Sequence, residues 1–571
     1  MKKVGKIALI IFTVMGVLIG ISYFASGPII KKILNDKITD LRIAGIYKVQ
    51  YKKAYFDIFN LGVSLSDITL VADSSEETAK LFHFHSQIFQ IQLKRLALTR
   101  LNIPLLIEEN ILEIGKIKLI KPRVFAYKND QYLGPAPRKE ETASMEMDHI
   151  SLKAIEVKDM IFQYFSEPQK KADLIIDDIQ FQLLNPIIYP DLFPSLQAAI
   201  QVDDVKLEIK DIVYNKQKGL YKIKLDEISL DYINSSLYLT GLKVIPKYDK
   251  KEFAKKNAYQ TDRIELDIEH INILNFNLER YFDDEILFIN SVQVDGGSAE
   301  IYRDKNRPFN YKNFPKLPQQ LLRSMKQKLE IEEIVVKKLD LVYIEKEVEA
   351  KKPGKIHFKN LQLQLNNVGN TLEWQKDREL RIIAKTKVYN KGKLNAQMNF
   401  PLGSNTFYVS GQLDKMNISA FNDISIHNAG IKIEDGKIDK MDFVITANHQ
   451  SSKGKLNLYY HDLEIALLKE EDSGEIKKRK LLNFVANRLI PKQNPKKNGD
   501  FYTGIIAFDR DPNKGFLNYL WKSILSGAKD TFLKDNKEIQ EDLGNTTPKT
   551  RKELRKQKKE DKKKKKNKKN K

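Results

Sequence analysis

The side chains of this chain that could do chemistry are few and poorly grouped. His83 and His85 lie two residues apart, so in a strand both imidazoles would share one face, as two metal ligands do. No carboxylate cluster accompanies them, and we interpret them as a solvated pair. The segment Asp509-Arg510-Asp511-Pro512 combines acids with a base, but its proline and aspartates are typical of a turn that leads into a helix.

Other catalytic signatures are missing from the sequence. It contains no Walker-type loop, no nucleophile elbow and no HExxH motif. It also contains no cysteine, which excludes zinc sites built on thiolates and leaves the redox compartment undecided. The sequence therefore predicts a protein that is not an enzyme and that has no catalytic residues, metal site or cofactor.

The elements that would position any site are strands with one apolar face. Phe89, Ile91 and Leu93 alternate strictly with polar residues, and side chains of a strand alternate between its faces. Residues 89–127 match residues 264–302 without a gap at an offset of 175 (264 − 89). Aligned apolar pairs include Phe89 with Ile264, Leu93 with Ile268, Leu101 with Phe276, Ile117 with Val292, Leu119 with Val294 and, last, Tyr127 with Tyr302. A repeated unit of this kind predicts a sheet that grows by repetition.

The duplication extends to units of about 83–190 and 258–370, and its growing offset places short insertions in turns. A smaller motif recurs within the units. An aliphatic residue is followed three residues later by a second, two later by a third, and then by a tyrosine. Chance alternation is the other explanation, and the gapless match disfavours it. Turn signals occur at Asp295-Gly296-Gly297, Asn390-Lys391-Gly392 and Asp435-Gly436. We predict β structure over residues 46–508.

The N-terminus has the features of a membrane anchor. The segment from Ile7 to Ala25 is uncharged and follows Lys2, Lys3 and Lys6. As a helix it would be about 28 Å long, which matches the hydrocarbon core of a bilayer. A cleaved signal peptide is the alternative, but cleavage after Ala25 would place Tyr23 where a small residue is needed. We predict an uncleaved transmembrane helix at 7–25, with Tyr23 and Phe24 in the interfacial belt.

The flanking charges do not fix the orientation of this helix, because lysines precede it and Lys31, Lys32, Lys37 and Arg42 follow it. Gly16 and Gly20 form a small-xxx-small pair, which either brings two helices together or arises by chance. A second helix, juxtamembrane and led by Pro28, is predicted over residues 28–42.

The C-terminal part is predicted to return to helix. Residues 513–535 form an amphipathic pattern that either caps the β structure or lies against a membrane. The net charge of +22 is concentrated in the last segment, where residues 549–571 hold fifteen basic and three acidic residues. We predict a disordered tail over 545–571, either merely solvating or bound to anionic membrane. Nucleic acid is disfavoured, because no aromatic residue interleaves the lysines.

Two stretches carry a family resemblance. One is ILEIGKIKLIKPRVFAY, residues 111–127; the other, residues 407–468, contains VSGQLDKMNISAFN, GIKIEDGKIDKMDF and KGKLNLYYHDLEIALL. With the anchor, the proline-led helix and the final helix, the chain resembles AsmA-like proteins over about residues 5–535. These are bacterial relatives of TamB and of the repeating β-groove lipid-transfer proteins. The lysine tail lies outside the family pattern, and the chain is short beside the envelope-spanning members.

The resemblance implies an elongated, curled antiparallel sheet with an apolar inner surface. It implies a single-pass protein of the bacterial inner membrane, with residues 1–6 in the cytoplasm and the body in the periplasm. Its implied function is to move phospholipid between membranes or to maintain the outer membrane. The implied partners are membrane phospholipids and envelope proteins, and an envelope scaffold without transport is the alternative function.

An apolar groove would hold acyl chains at a gain of about 0.8 kcal/mol per buried methylene. Sequence alternation does not distinguish a groove from a packed core, so each candidate is either a lining residue or a core residue. The candidate lining residues are Ile117, Leu119, Val205, Leu207, Ile264, Leu266, Ile268, Val292 and Val294.

Overall fold

Long β-strands dominate the fold, as the apolar alternation predicts. The computed structural model describes residues 42–533, except 44–45, 58–61, 74–80, 103–104, 106–107, 110, 135–147, 168–169, 190–191, 193–198, 217, 349, 471–475 and 479–489. The predicted transmembrane helix at 7–25 and the lysine-rich tail at 545–571 lie outside these residues. Within them, no helix is long and apolar enough to cross a membrane.

The strands of the N-terminal half are β1 (Arg42–Ile43), β2 (Tyr47–Gln50), β3 (Lys53–Asp57), β4 (Gly62–Ala72), β5 (Gln87–Asn102), β6 (Ile111–Lys128), β7 (His149–Phe165), β8 (Leu174–Leu184), β9 (Ile187–Ile188), β10 (Ile200–Gln201), β11 (Asp204–Tyr214), β12 (Tyr221–Asp231) and β13 (Ser236–Pro246). The later strands are β14 (Asp262–Asn277), β15 (Ile286–Asp304), β16 (Lys328–Lys346), β17 (Gly354–Gly369), β18 (Glu379–Val388), β19 (Gly392–Pro401), β20 (Phe407–Asn417), β21 (Ile431–Ala447), β22 (Ser451–Glu470), β23 (Ile476–Lys478) and β24 (Thr503–Asp509).

The helices are α1 (Lys250–Lys256), α2 (Leu278–Asp284), α3 (Pro318–Arg323), α4 (Leu372–Asp377), α5 (Asn422–Ala429) and α6 (Phe516–Leu533). The first five are short connections that the sequence did not predict. Helix α6 confirms the predicted C-terminal helix. Arg42 lies in strand β1, so the prediction that it ends a helix is wrong, and residues 28–41 lie outside the described residues.

Most of the described strand pairs are antiparallel, but one is parallel, so the prediction of an antiparallel sheet is wrong for that pair. Strands β6 and β7 run parallel, with Ile114 opposite Leu152 and Leu119 opposite Val157. A parallel pair needs a long connection that carries the chain back to the starting end of the first strand. The 20 residues between the two strands, 129–148, are numerous enough for such a connection.

The duplicated segments have matching strand bounds. Strand β5 begins at Gln87 and β14 at Asp262, and their ends are Asn102 and Asn277. Both differences are 175, as is the difference between Ile111 of β6 and Ile286 of β15. The internal match in sequence is therefore also a match in local structure.

A three-residue spacing between apolar positions also occurs in many strands outside the motif described above, as between Val157 and Met160, and it has a structural cause. Between two such apolar positions, the residue just before the second adopts a positive φ, as Asp159 (55°), Asp211 (54°) and Gly241 (69°) do. Such residues form bulges that insert one position into a strand. An alternating strand would send the next apolar side chain to the wet face, and the inserted residue returns it to the apolar face. Further examples are Asp67, Arg100, Lys121, Asn275, Lys338, Asn360 and Asp462.

Two of the three predicted turns are bulges instead. Gly296 (φ 74°) lies inside β15, and Gly436 (φ 138°) lies inside β21. Asn390 and Lys391 do form the turn between β18 and β19. Glycine supplies a positive φ in either setting, so the residue type alone does not separate a turn from a bulge.

The chain divides into two compact units. Unit 1 comprises residues 1–247 and 266–294, and unit 2 comprises residues 248–265 and 295–571. In unit 1, the first strands enclose a packed core that contains Ile46, Leu65, Leu98, Ile117 and Ile150. In unit 2, helix α6 packs against β22 and β24 and buries their apolar side chains.

Candidate functional site

Apolar side chains of unit 1 form rows that cross neighbouring strands. Directly paired residues lie on the same side of a sheet. In one row, strand register places apolar residues opposite each other from β7 to β14: Val157, Phe181, Leu207, Leu230, Leu237 and Ile273. A second row consists of Met160, Ile179, Ile209, Ile228, Leu239 and Ile271.

A further row lies beyond the bulges and consists of Tyr164, Leu174, Tyr214, Ile223, Val244 and Leu266. We call the surface formed by these rows on β7, β8 and β11–β14 the apolar face. The alternate residues of the same strands form the polar face, where Gln180, Glu208, Ser229, Tyr238 and Asn272 are paired in register.

The apolar face is not a packed core. Apart from Pro246 at the end of β13, no apolar residue of β8, β11, β12 or β13 is fully buried, although these strands are rich in such residues. Phe181, Leu207, Ile228 and Leu239 are all partly exposed. Contiguous exposed apolar surface of this kind marks interaction sites in soluble proteins. The face is therefore the candidate functional site.

The earlier strands of unit 1 show the contrast. Ile117 is 0% exposed and lies in the same packed cluster as Ile114 and Leu152. Ile117 was a candidate lining residue, and the structure places it in the core, where it contacts protein. Of the two roles considered for each candidate, lining residue or core residue, Ile117 therefore has the second.

The other candidate lining residues differ in the row to which they belong and in their exposure. Leu119 and Leu207 belong to one row, through Val157 and Phe181, and Val205 lies in the adjacent row, opposite Leu183. Leu266 ends the row through Val244. Ile268, opposite Leu242, is buried, whereas Val292 and Val294 on β15 are partly exposed. Ile264 is 41% exposed and lies in the part of β14 that belongs to unit 2.

Residues that the sequence reasoning missed make up most of the apolar face. Phe181, Ile179, Ile209, Ile228 and Leu230 occupy central positions on it. They follow the same spacing of two and three residues as the named candidates, so this signal was available. The sequence does not reveal which rows remain uncovered.

An open cavity of about 540 Å³ lies across β7, β8, β11 and β12. Its lining combines Val157, Phe181, Leu207 and Leu230 with charged residues that include Lys206. Such a mixture suits an amphipathic ligand, since apolar groups contact the row while charged groups meet polar atoms.

Unit 2 contains a dense charged cluster. The Arg303 guanidinium donates from Nε and Nη2 to the two carboxylate oxygens of Asp262, both at 2.6 Å. Lys305 Nζ donates to Glu345 Oε1 at 2.7 Å and to Glu347 Oε1 at 2.5 Å. Tyr343 Oη and Asn428 Nδ2 also donate to Glu345.

Burial by itself would raise the pKa of Glu345, but the charge of Lys305 and the donated hydrogen bonds outweigh burial and hold that pKa below its ordinary value. Burial raises the pKa of the Tyr343 hydroxyl far above its usual range. The charged groups named here are paired with each other, so the cluster is interpreted as a structural network that ties β14, β15 and β16 of unit 2 together.

The residues that the sequence analysis considered for catalysis or metal binding do not form a site. His83 Nδ1 lies 2.8 Å from the carbonyl oxygen of Gln131. Among the described residues, no group of three or more histidine, aspartate or glutamate side chains is placed to hold a metal ion. Arg510 donates to the carbonyl of Pro315 and packs over the Tyr519 ring, in the turn that precedes α6.

Comparisons with protein-family models and with curated proteins find no match for this chain. Its function is therefore inferred from its own residues and geometry.

Proposed function

We propose that this protein binds phospholipid on the apolar face of unit 1 and handles or transports it between membranes. In this proposal it is an AsmA-like protein, held by the helix at 7–25 in a bacterial inner membrane, with its elongated, curled sheet in the periplasm. The observation that carries the proposal is the set of partly exposed apolar rows on β7, β8 and β11–β14.

The dimensions of the face favour acyl chains. Six strands spaced about 4.8 Å apart give a width of roughly 24 Å, which is comparable to the length of a phospholipid acyl chain and headgroup. Each methylene buried there contributes about 0.8 kcal/mol, so two acyl chains would retain a phospholipid out of water. The face offers no set of polar groups that would select a compact polar ligand.

Paired substitutions on β12 test this function. Ile228 lies on the apolar face and its neighbour Ser229 lies on the polar face, opposite Glu208. Ile228→Lys places an ammonium among the apolar rows, where acyl chains cannot compensate its desolvation. Ser229→Lys introduces the same charge on the opposite side of the same strand and serves as the matched control.

The full chain is purified in mild detergent, and its bound lipid is extracted and quantified by mass spectrometry. We expect co-purified phospholipid in the unmodified protein, a loss of at least about tenfold with Ile228→Lys, and no loss with Ser229→Lys. Equal lipid in the two variants, or no phospholipid in the unmodified protein, would contradict the proposal. Stable protein partners in place of lipid would instead favour the envelope scaffold.

A further inference from the structure

Strands β5, β6 and β7 carry a concentration of positive charge. Their sequences, QIFQIQLKRLALTRLN, ILEIGKIKLIKPRVFAYK and HISLKAIEVKDMIFQYF, contain ten basic residues and three acidic ones. The next strands of unit 1 reverse this balance. In β8, β11, β12 and β13 there are eight acidic residues and five basic ones.

Strand register gathers several of these cations on one surface. Lys118 lies opposite Ala97 and Glu156, while Ile120 lies opposite both Arg95 and Lys158. Lys116 and Lys118 are two residues apart, so they lie on the same face. Arg123, opposite Gln92, follows the bulge at Lys121. We call the five residues Arg95, Lys116, Lys118, Arg123 and Lys158 the basic strip.

Three of these five cations share a single carboxylate, that of Glu156. Lys116 Nζ lies 2.9 Å from Glu156 Oε1, and Lys118 and Lys158 lie 3.9 and 3.7 Å from Glu156 Oε2. The carboxylate is buried, whereas the side chains of Lys118 and Lys158 are 39% and 59% exposed. Arg95 donates to the uncharged Ser64 hydroxyl. The strip therefore presents a net positive surface to solvent.

We infer that the basic strip docks unit 1 on the headgroups of an anionic phospholipid membrane. Exposed cations near such a surface each contribute about 1 kcal/mol to attachment, which corresponds to a factor of about five. The strip carries no interleaved aromatic platform for bases, so a membrane suits it better than a single-stranded nucleic acid. The acidic balance of β8 and β11–β13 would be repelled from the same surface, so docking would orient the sheet with β5–β7 against the headgroups.

This inference rests on the proposed membrane location but not on lipid transport. Since the chain has no cysteine, a single fluorophore can be attached at Gln92→Cys beside the strip, or at His270→Cys on the polar face of β14. The full-length protein is mixed with vesicles of phosphatidylcholine, or of phosphatidylcholine with phosphatidylglycerol, that contain a headgroup nitroxide quencher. The lysine-rich tail is present throughout and cannot account for differences between variants.

We expect quenching at position 92 to be several-fold stronger with phosphatidylglycerol, to weaken with salt, and to exceed quenching at position 270. The double variant Lys118→Glu/Lys158→Glu should reduce the apparent vesicle affinity at least about twenty-five-fold, which is a factor of about five for each of two cations. The control Lys222→Glu/Lys224→Glu makes the same charge change on β12, outside the strip and outside the cavity lining, and should leave quenching at position 92 unchanged.

Equal quenching in the two kinds of vesicle would overturn the inference, as would equal effects of the two double variants. Strip-dependent binding of a labelled oligonucleotide, without strip-dependent quenching, would assign the strip to nucleic acid instead. If the strip variant misfolds, the comparison of positions 92 and 270 in the unsubstituted background decides. Loss of bound lipid in Ile228→Lys with docking intact separates this inference from the proposed function.

Discussion

At the scale of the residue, the bulges explain how an irregular sequence spacing maintains one apolar surface. A positive φ costs an L-residue about 1–2 kcal/mol, and only glycine avoids that cost. Aspartate and asparagine tolerate this conformation better than most residues, and they occupy many of the bulges. Lysine has no such local adaptation, yet Lys121 (φ 53°) and Lys338 (φ 54°) occupy equivalent positions.

Lys121→Gly is expected to stabilise the protein by about 0.5–1 kcal/mol, because it removes the side chain that disfavours a positive φ. Lys206→Gly is the control, since Lys206 is an exposed strand residue outside the bulges and glycine there should destabilise by a similar amount. Urea unfolding followed by circular dichroism measures both. The same sign of change in the two variants would contradict the role assigned to the bulge.

The mostly buried carboxylate of Glu345 makes a pH-dependent contribution to the stability of the fold. Its folded pKa lies below the ordinary value of 4.5, so its stabilisation is complete above pH 4.5 and is lost as the pH falls through the lower folded pKa. Lys305→Met leaves this carboxylate without its lysine, and burial then raises its pKa. We expect a loss of about 3 kcal/mol at pH 7 that shrinks as the pH falls toward 4.

The control for this prediction is Lys359→Met, which breaks an exposed ion pair with Asp340 and should change stability little. Urea unfolding at several pH values provides the comparison. A Lys305→Met penalty that stays constant between pH 7 and pH 4 would show that the loss comes from packing and not from the ion pair.

At the scale of the element, helix α6 covers the apolar side of β22 and β24. Phe516 stacks edge-on against Phe400 and Phe407, and Ser523 shares a hydrogen bond with Ser452. The contact is close: a Cβ at Gly527 would lie 2.7 Å from Ile506 Cγ1 and 3.0 Å from Leu456 Cβ. Glycine is needed there because the helix backbone lies directly on the sheet.

Gly527→Val is expected to force α6 away from the sheet and to destabilise unit 2 by about 1–3 kcal/mol, as overpacking does elsewhere. Hydrogen exchange of the β24 amides, residues 503–509, should accelerate. Leu517→Ala, on the same helix but 71% exposed, should leave that exchange unchanged. Unaltered exchange with Gly527→Val would mean that α6 does not protect β24.

At the scale of the whole molecule, the two units differ in how far the apolar faces of their strands are buried. The strands β18–β22 of unit 2 alternate buried and exposed residues, as a sheet covered on one face does. Strands β8 and β11–β13 of unit 1 lack that alternation, because their apolar residues are only partly covered. Under the proposed function the two units have different roles. Unit 1 binds lipid, and the covered part of unit 2 is structural.

Photocrosslinking tests this division. A benzophenone amino acid at Phe181 or Leu239, on the apolar face, should crosslink to phospholipid in native membranes. The same amino acid at Tyr408, which is exposed on β20 of unit 2, should crosslink to lipid far less. Mass spectrometry of the crosslinked peptides gives the yields, and equal yields at the three positions would argue against a lipid site confined to unit 1.

The sequence by itself determined much of the local structure. Apolar alternation predicted the strands, the match at an offset of 175 predicted a repeated unit of strands, and spacing at three and four predicted α6. These properties depend on interactions between residues close in the chain, or on which face a side chain takes, so composition and spacing encode them. The parallel pairing of β6 with β7 was not encoded in this way, because it depends on where a long connection returns the chain.

Only the tertiary structure decided which apolar rows are covered. Ile117 and Val205 occupy the same position of the same sequence motif, yet Ile117 is packed among Ile46, Ile114 and Ile150 while Val205 is partly exposed. The covering residues come from distant parts of the chain, and no spacing within the motif reports them. Likewise, the cations of the basic strip are scattered over β5–β7, and strand register gathers them on one surface.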